Sequence, residues 1–165
     1  MGEVKMKHHR QPQGKIKTCT VMVKNGKYCA SLSCEVELNS LPESNATVGI
    51  DLGVKHLAIT SDEDFYEQPK FLRESERTLH RKQRSVSRKK KGSIRRRKAV
   101  RELARLHEHI ANQSRDYAHK VSKKLVRGYG LIAFEHLNVQ GMVKNHHFAK
   151  SIVDASWHQL VQYTT

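Results

Sequence analysis

The sequence predicts an α/β protein in which short strands form a mixed sheet and a long, basic pair of helices is inserted between them. Three observations carry this prediction. Two β-rich runs flank Asn25-Gly26, which is a strong signal for a β-hairpin. Short apolar runs, the first at 47–51 and the last at 131–134, have the length and composition of strands. Residues 94–126 carry apolar side chains at the three- and four-residue spacing of an amphipathic helix.

The composition indicates an intracellular protein that binds a polyanion. The 165 residues include 31 Lys and Arg against 16 Asp and Glu, which gives a formal net charge of +15. This excess predicts nucleic acid as the partner, with an anionic membrane surface as the alternative. No apolar run is long enough to span a bilayer and the N-terminus has no signal-peptide pattern, so we expect a cytoplasmic protein without a membrane partner. Cys19, Cys29 and Cys34 form no Cys-x-x-Cys pair, which predicts reduced thiols and no zinc site.

The first predicted element is a hairpin within residues 15–38. With Asn25-Gly26 as a two-residue turn, Lys24 faces Lys27, and the numbers of each cross-strand pair sum to 51. The pattern then predicts one apolar, half-buried face and one polar face. The apolar face holds Cys19, Val21, Val23, Tyr28, Ala30 and Leu32, with Cys34 and Val36 continuing it. Cys19 and Cys34 are interpreted as two small core residues and not as a disulfide.

The stretch 47–61 predicts two strands joined by a tight turn that carries a carboxylate. Asp51 ends the first strand, Gly53 follows, and a second strand covers 56–61. An acidic turn at 62–64 and a third short strand at 65–68 would complete an antiparallel meander. A carboxylate held at the end of a rigid strand is suited to a divalent metal. The alternative is an acidic residue in an ordinary hairpin turn.

Residues 70–101 change the character of the chain. They hold 15 Lys and Arg against two Glu, so their net charge of +13 is most of the chain's +15. Helices are predicted over 71–88 and 94–126, with Ser93 as an N-cap and a second helix about 50 Å long. The alternative to nucleic-acid contact is a solvated helix face. The predicted nucleic-acid-binding residues are Arg81, Lys82, Arg84, Arg88, Lys89, Lys90, Lys91, Arg95, Arg96, Arg97, Lys98 and Arg101.

A second acid ends the last predicted strand. Leu131–Phe134 is a continuous apolar run, which fits a central strand covered on both faces, and Glu135 follows it. Asp51 and Glu135 would meet if their strands are neighbours in one sheet. Two such carboxylates with the phosphates of a nucleic acid are suitable ligands for Mg²⁺. The alternative is that Glu135 pairs with a basic side chain. A last helix is predicted over 150–162.

Five separated motifs, in order, make the chain resemble the TnpB family, also called OrfB-type transposases. The motifs are VGIDLGVK (48–55), SRKKKG (87–92), AVRELARLH (99–107), LIAFEHLN (131–138) and SIVDASW (151–157). The resemblance runs from about residue 15 to the end. It implies an RNA-guided DNA endonuclease with an RNase H-like domain of the RuvC type.

The resemblance also implies the domains, the site and its cofactor. Residues 1–45 would hold a tail and the end of a wedge-like β domain, and residues 46–165 a RuvC-like domain with a basic helical insertion at 70–126. Asp51 and Glu135 would be catalytic carboxylates and ligands of Mg²⁺ or Mn²⁺. Guide RNA and target DNA would be the partners.

The sequence departs from the family pattern in two respects. A third catalytic Asp and a four-cysteine zinc element are expected after the last helix, and this sequence contains neither; Asp154 belongs to a non-catalytic position of its motif. We therefore interpret the domain as an incomplete RNase H-like fold, an internal piece of a longer nuclease with little or no cleavage by itself. A non-catalytic RNA- or DNA-binding remnant and a basic ribonucleoprotein component are the alternatives.

Overall fold

The computed structural model describes residues 5–7, 9–142, 144 and 157–165. The chain divides into two compact units, Met1–Leu41 and Pro42–Thr165. In the part of the chain that the structure describes, no helix is both long and apolar enough to cross a membrane. The predicted helix over 150–162 lies partly outside the described residues. Asp154 also lies outside them.

The first unit is a β-hairpin. Strand β1 spans Lys15–Lys24 and β2 spans Lys27–Glu35. Asn25 and Gly26 have positive φ angles of 52° and 75°, as a tight hairpin turn between twisted strands requires. The predicted register is confirmed from the turn to the pair Thr18 and Ser33, after which an irregularity shifts it by one residue so that Ile16 faces Cys34.

The predicted burial of this hairpin is wrong. Val21, Val23 and Tyr28 are 67%, 64% and 83% exposed on the face expected to be covered. A two-stranded ribbon buries a face only where another layer lies on it, and the described residues of this unit form no further strand or helix. Cys19 is exposed and Cys34 half-buried, so neither is a core residue, and both are free thiols.

The described residues of the second unit form a mixed sheet of four strands, as the sequence predicts. Its strands are β3 (Thr47–Asp51), β4 (His56–Thr60), β5 (Phe65–Glu67) and β6 (Leu131–Phe134). The order is β5-β4-β3-β6. The first three strands form the predicted antiparallel meander, and β6 lies parallel to β3. Residues before and after the long helical insertion therefore end as neighbours in one sheet.

Strand β6 lies at the edge of the described sheet, so the prediction of a central strand covered on both faces is wrong. Leu131 is 63% exposed, whereas Ile132 and Phe134 are half-buried and pack on the core. A continuous apolar run does not by itself distinguish a strand covered on two faces from one covered on a single face. In the described residues only β3 pairs with β6.

The helices α1 (Phe71–Ser87) and α2 (Ile94–Gly128) form the predicted helical hairpin. The Ser93 side chain accepts a hydrogen bond from the Arg96 amide at 3.1 Å, which confirms the N-cap. The 35 residues of α2 extend for about 50 Å. Among the residues that the structure describes, two short helices follow, α3 (Val139–Met142) and α4 (Trp157–Thr164).

The core lies where the C-terminal third of α2 and helix α4 pack on the sheet. Its buried residues are Val48, Ile50, Leu52, Leu57, Ala58, Val121, Leu125, Trp157 and Leu160. The N-terminal part of α2 packs on α1 instead, and these two segments, residues 71–110, are called the basic arm below. The apolar stripe predicted for α2 begins at Val100, but Val100 is 40% exposed and the neighbouring Ala99 is buried instead. The first position of the predicted stripe is therefore wrong.

Candidate metal centre and nucleic-acid interface

The parallel pairing of β3 and β6 brings the two predicted carboxylates together. Ile50 faces Phe134 in the register, so the next residues, Asp51 and Glu135, stand side by side at the carboxyl ends of the two strands. The Glu135 amide donates a hydrogen bond to the Ile50 carbonyl at 3.2 Å, which extends the pairing to this point. Both acids are exposed, whereas Ile50 beneath them is buried.

The two carboxylates interact directly. A side-chain hydrogen bond with Asp51 is the largest cause that raises the pKa of Glu135, followed by desolvation and by the negative charge of Asp51. Two carboxylates this close favour sharing a proton because both cannot ionise without repulsion. A divalent cation between them would remove the same repulsion, and carboxylate oxygens are the hard ligands that Mg²⁺ and Mn²⁺ take.

The turn after Asp51 is fixed by a tryptophan from the last helix. The Trp157 indole nitrogen donates a hydrogen bond to the Gly53 carbonyl at 3.2 Å, and Trp157 itself is only 3% exposed. Leu52 is buried in the same core. The backbone directly after Asp51 is therefore held by the core, which limits the movement of the Asp51 carboxylate.

Asp62 and Asp64 of the acidic turn have structural partners. The Tyr129 hydroxyl donates to the Asp62 carboxylate at 2.7 Å, and this bond is the largest cause that raises the pKa of Tyr129 to about 12. Lys124 lies 3.9 Å from Asp64 and 5.0 Å from the centre of the Tyr66 ring. These contacts anchor the turn to the C-terminal end of α2 and to its C-cap residue, Tyr129. They were not predicted, because no local pattern reports a contact between residues 67 positions apart.

The described residues contain no group of three or more His, Cys, Asp or Glu side chains placed to hold a metal. Within the described part of the chain, Asp51 and Glu135 thus form a site of two carboxylates. Such a site offers part of an octahedral shell, and water and phosphate oxygens would have to supply the remainder.

The basic arm presents most of the predicted nucleic-acid-binding residues to solvent. Three of the twelve are held or partly covered by the protein itself. Lys82 pairs with Glu102 of α2 at 3.4 Å, Lys89 donates to Ser85 Oγ at 2.6 Å, and Arg96 is half-buried. The exposed residues are Arg81, Arg84, Arg88, Lys90, Lys91, Arg95, Arg97, Lys98 and Arg101.

Three further exposed arginines of the arm, Arg73, Arg77 and Arg105, were not selected from the sequence. Arg77 lies one turn before Arg81 on α1, and Arg105 lies one turn after Arg101 on α2. The signal that could have found them is the helical spacing of the arginines, which continues past the dense run of basic residues in both directions.

The fold and site are those of a mixed α/β protein with a strand-end carboxylate pair and a basic helical arm. The family described as "Probable transposase", the OrfB proteins of IS605 type, matches residues 31–146. The chain belongs to this family, the TnpB or OrfB-type proteins.

Two curated relatives are similar over most of the chain. A protein of Streptomyces pristinaespiralis, whose name describes it as a candidate RNA-guided DNA endonuclease, is 37% identical over 135 residues, which are 82% of this chain and 34% of the relative. InsQ of Escherichia coli K12, named in the same way, is 32% identical over 146 residues, which are 88% of this chain and 36% of InsQ. The chain therefore spans about a third of the length of these relatives.

Proposed function

We propose that the chain is a nucleic-acid-binding element of an RNA-guided, metal-dependent DNA endonuclease and supplies two of its metal-binding carboxylates. The observation that carries the proposal is the adjacency of Asp51 and Glu135 at the ends of two parallel strands. The names of the two relatives support guide RNA and target DNA as the partners. The sheet order, with a parallel strand beside an antiparallel meander, supports an RNase H-like domain of the RuvC type.

In this proposal each part of the chain has a distinct task. Asp51 and Glu135 would hold Mg²⁺ or Mn²⁺ through their carboxylate oxygens, and Glu135 would have to lose its proton first. When bound, the metal would activate water and stabilise the leaving oxygen of a phosphodiester. Trp157 holds the Asp51 turn in place, and the exposed arginines and lysines of the basic arm bind phosphates of the RNA and DNA backbones.

Two carboxylates alone make a weak centre. Mg²⁺ requires near-ideal octahedral geometry and is held by few protein ligands only when substrate phosphates contribute as well. A site with two metals also needs ligands for the second ion, and among the described residues no third His, Cys, Asp or Glu joins these two acids. We therefore expect little or no DNA cleavage by this chain alone.

Metal binding is the first test. Electron paramagnetic resonance of Mn²⁺ should show a weak site in the wild type, and Asp51→Asn or Glu135→Gln should weaken it by at least about tenfold, since even outer-shell changes at metal sites have effects of this size. Glu63→Gln is the matched control, because it removes one exposed acid from the nearby β4–β5 turn. Equal Mn²⁺ affinity in all four proteins would contradict the proposal.

Non-catalytic nucleic-acid binding is a second candidate, and the two-carboxylate site favours it. It predicts RNA or DNA binding that survives Asp51→Ala and Glu135→Ala and weakens when Arg95, Arg96 and Arg97 are neutralised. The logarithm of the affinity should fall with the logarithm of salt by about 0.7 per neutralised phosphate of a single strand. Absence of binding at low salt would exclude this candidate, and DNA cleavage that Asp51→Ala abolishes would favour the nuclease.

A further inference from the structure

Exposed arginines line the side of α1 that points away from α2. Arg77, Arg81 and Arg84, with Arg88 at the C-cap, recur at spacings of four, three and four residues, so they share one stripe of the helix. All four are exposed, whereas Leu79, on the other side of the helix, is buried. Together with their neighbours they border a groove of about 1020 Å³ along α1.

A second arginine stripe lies on α2. Arg97, Arg101 and Arg105 follow one another at every fourth residue and are all exposed. Ala99, which is buried, and Leu103, which is half-buried, lie on the opposite side of the same helix. The charged stripe of α2 is therefore also directed away from the seam between the helices.

We propose that the basic arm binds two nucleic-acid backbones at once, one along each outer face. The two helices pack on each other, and the Lys82–Glu102 ion pair spans the seam at 3.4 Å. Because the buried side of each helix faces the other helix, the arginine stripes point to opposite sides of the arm. This inference rests on the proposed function, in which the arm binds nucleic acid.

The dimensions of the arm separate the two stripes too far for one backbone. Each helix with its side chains is about 10–12 Å across, so the outer faces of the pair lie about 20 Å apart. The major groove of B-DNA is about 12 Å wide and admits a single helix, so the two-helix arm cannot reach both strands of one duplex from inside that groove. Two separate segments can be bound, one on each side.

The arginines on both faces of the arm can bind the phosphates of a nucleic-acid backbone. Each guanidinium can bind a phosphate through two parallel hydrogen bonds. The stripe from Arg77 to Arg88 is about 16 Å long, which matches about five phosphates of one strand. The α1 groove contains no Phe, Tyr or Trp, so this face offers no platform on which bases would stack.

Native mass spectrometry of the full chain with excess oligo(dT) of about 12 nucleotides tests this inference, since that length exceeds one stripe. The wild type should form complexes with two oligonucleotides per chain. Neutralising one face, by Arg77→Gln, Arg81→Gln and Arg84→Gln or by Arg97→Gln, Arg101→Gln and Arg105→Gln, should leave one oligonucleotide per chain. The affinity of each face variant for a second oligonucleotide should be at least about tenfold lower than that of the wild type, because several charge-assisted contacts are lost.

A matched control removes the same charge outside the arm. Arg10→Gln, Lys15→Gln and Lys27→Gln change three exposed residues of the first unit, and this variant should still bind two oligonucleotides. A wild type that saturates at one oligonucleotide, or face variants that still bind two, would overturn the inference while leaving the proposed nucleic-acid binding intact. A wild type that binds none would overturn both.

Discussion

Asp51 and Glu135 are the residues on which the proposed metal binding depends. In the absence of metal, the hydrogen bond and negative charge of Asp51 raise the pKa of Glu135. The folded state therefore binds the Glu135 proton more tightly than the unfolded chain does. The free energy of unfolding therefore falls as the pH rises from the ordinary glutamate pKa through the raised pKa of Glu135 in the folded protein. Repulsion between the two ionised carboxylates therefore opposes folding above the ordinary glutamate pKa, and a bound cation would offset it.

This repulsion predicts that Glu135→Gln stabilises the metal-free protein. The variant cannot ionise at this position, so its melting temperature at neutral pH should exceed that of the wild type, and the two should converge as the pH falls below the ordinary glutamate pKa. Added Mg²⁺ should raise the melting temperature of the wild type and leave the variant unchanged. Thermal unfolding between acidic and neutral pH measures both effects.

Glu63→Gln again serves as the control for this experiment, because Glu63 is an exposed acid outside the carboxylate pair. It should show neither the neutral-pH stabilisation nor a loss of the Mg²⁺ effect. If Glu135→Gln lowers the melting temperature at neutral pH in the absence of metal, the two carboxylates do not repel each other and the described geometry is incorrect.

At the scale of elements, the junction between α2 and β6 determines where Glu135 lies. The Gly130 amide donates to the Ala46 carbonyl at 2.9 Å, and the Ser44 hydroxyl donates to the Gly128 carbonyl at 3.2 Å. A Cβ atom at Gly130 would lie 1.7 Å from the Ser44 carbonyl oxygen. The segment before β3 and the start of β6 are in contact here, and only glycine permits this approach.

Gly130→Ala should therefore destabilise the second unit by about 1–3 kcal/mol. To accept the new Cβ atom, either the backbone at Ser44 or the start of β6 must move. Gly128→Ala is the matched control, because a Cβ atom there meets nothing within 4 Å and alanine is the better helix former by up to about 1 kcal/mol. Urea unfolding of the two variants compares them directly. Equal stabilities would contradict the close packing at residue 130.

The sequence predicts local elements well in this protein. The turn at Asn25-Gly26 determines the register of its hairpin, and Ser93 begins a helix whose apolar spacing continues to Leu125. The sequence predicts burial less well, because burial depends on which other element of the fold covers a given face of a strand or helix. The exposed face at Val21 and the edge position of β6 are both failures of this kind.

At the scale of the whole molecule, the candidate site depends on one long-range pairing. The sequence shows that Asp51 and Glu135 each end a strand, but their adjacency requires β6 to pair with β3 across an insertion of two helices. No local periodicity contains that information. The separation of the arginines into two faces likewise depends on the packing of α1 on α2, and so neither result could be read from composition alone.

An NMR titration of the Glu135 side-chain carboxyl tests directly whether Asp51 and Glu135 share one site. The pKa should be above the ordinary glutamate value in the wild type, should return toward that value in Asp51→Asn, and should be lowered by Mg²⁺ in the wild type only. This result would establish that the two carboxylates are adjacent and hold one cation. A Glu135 pKa that neither Asp51→Asn nor Mg²⁺ changes would contradict the account.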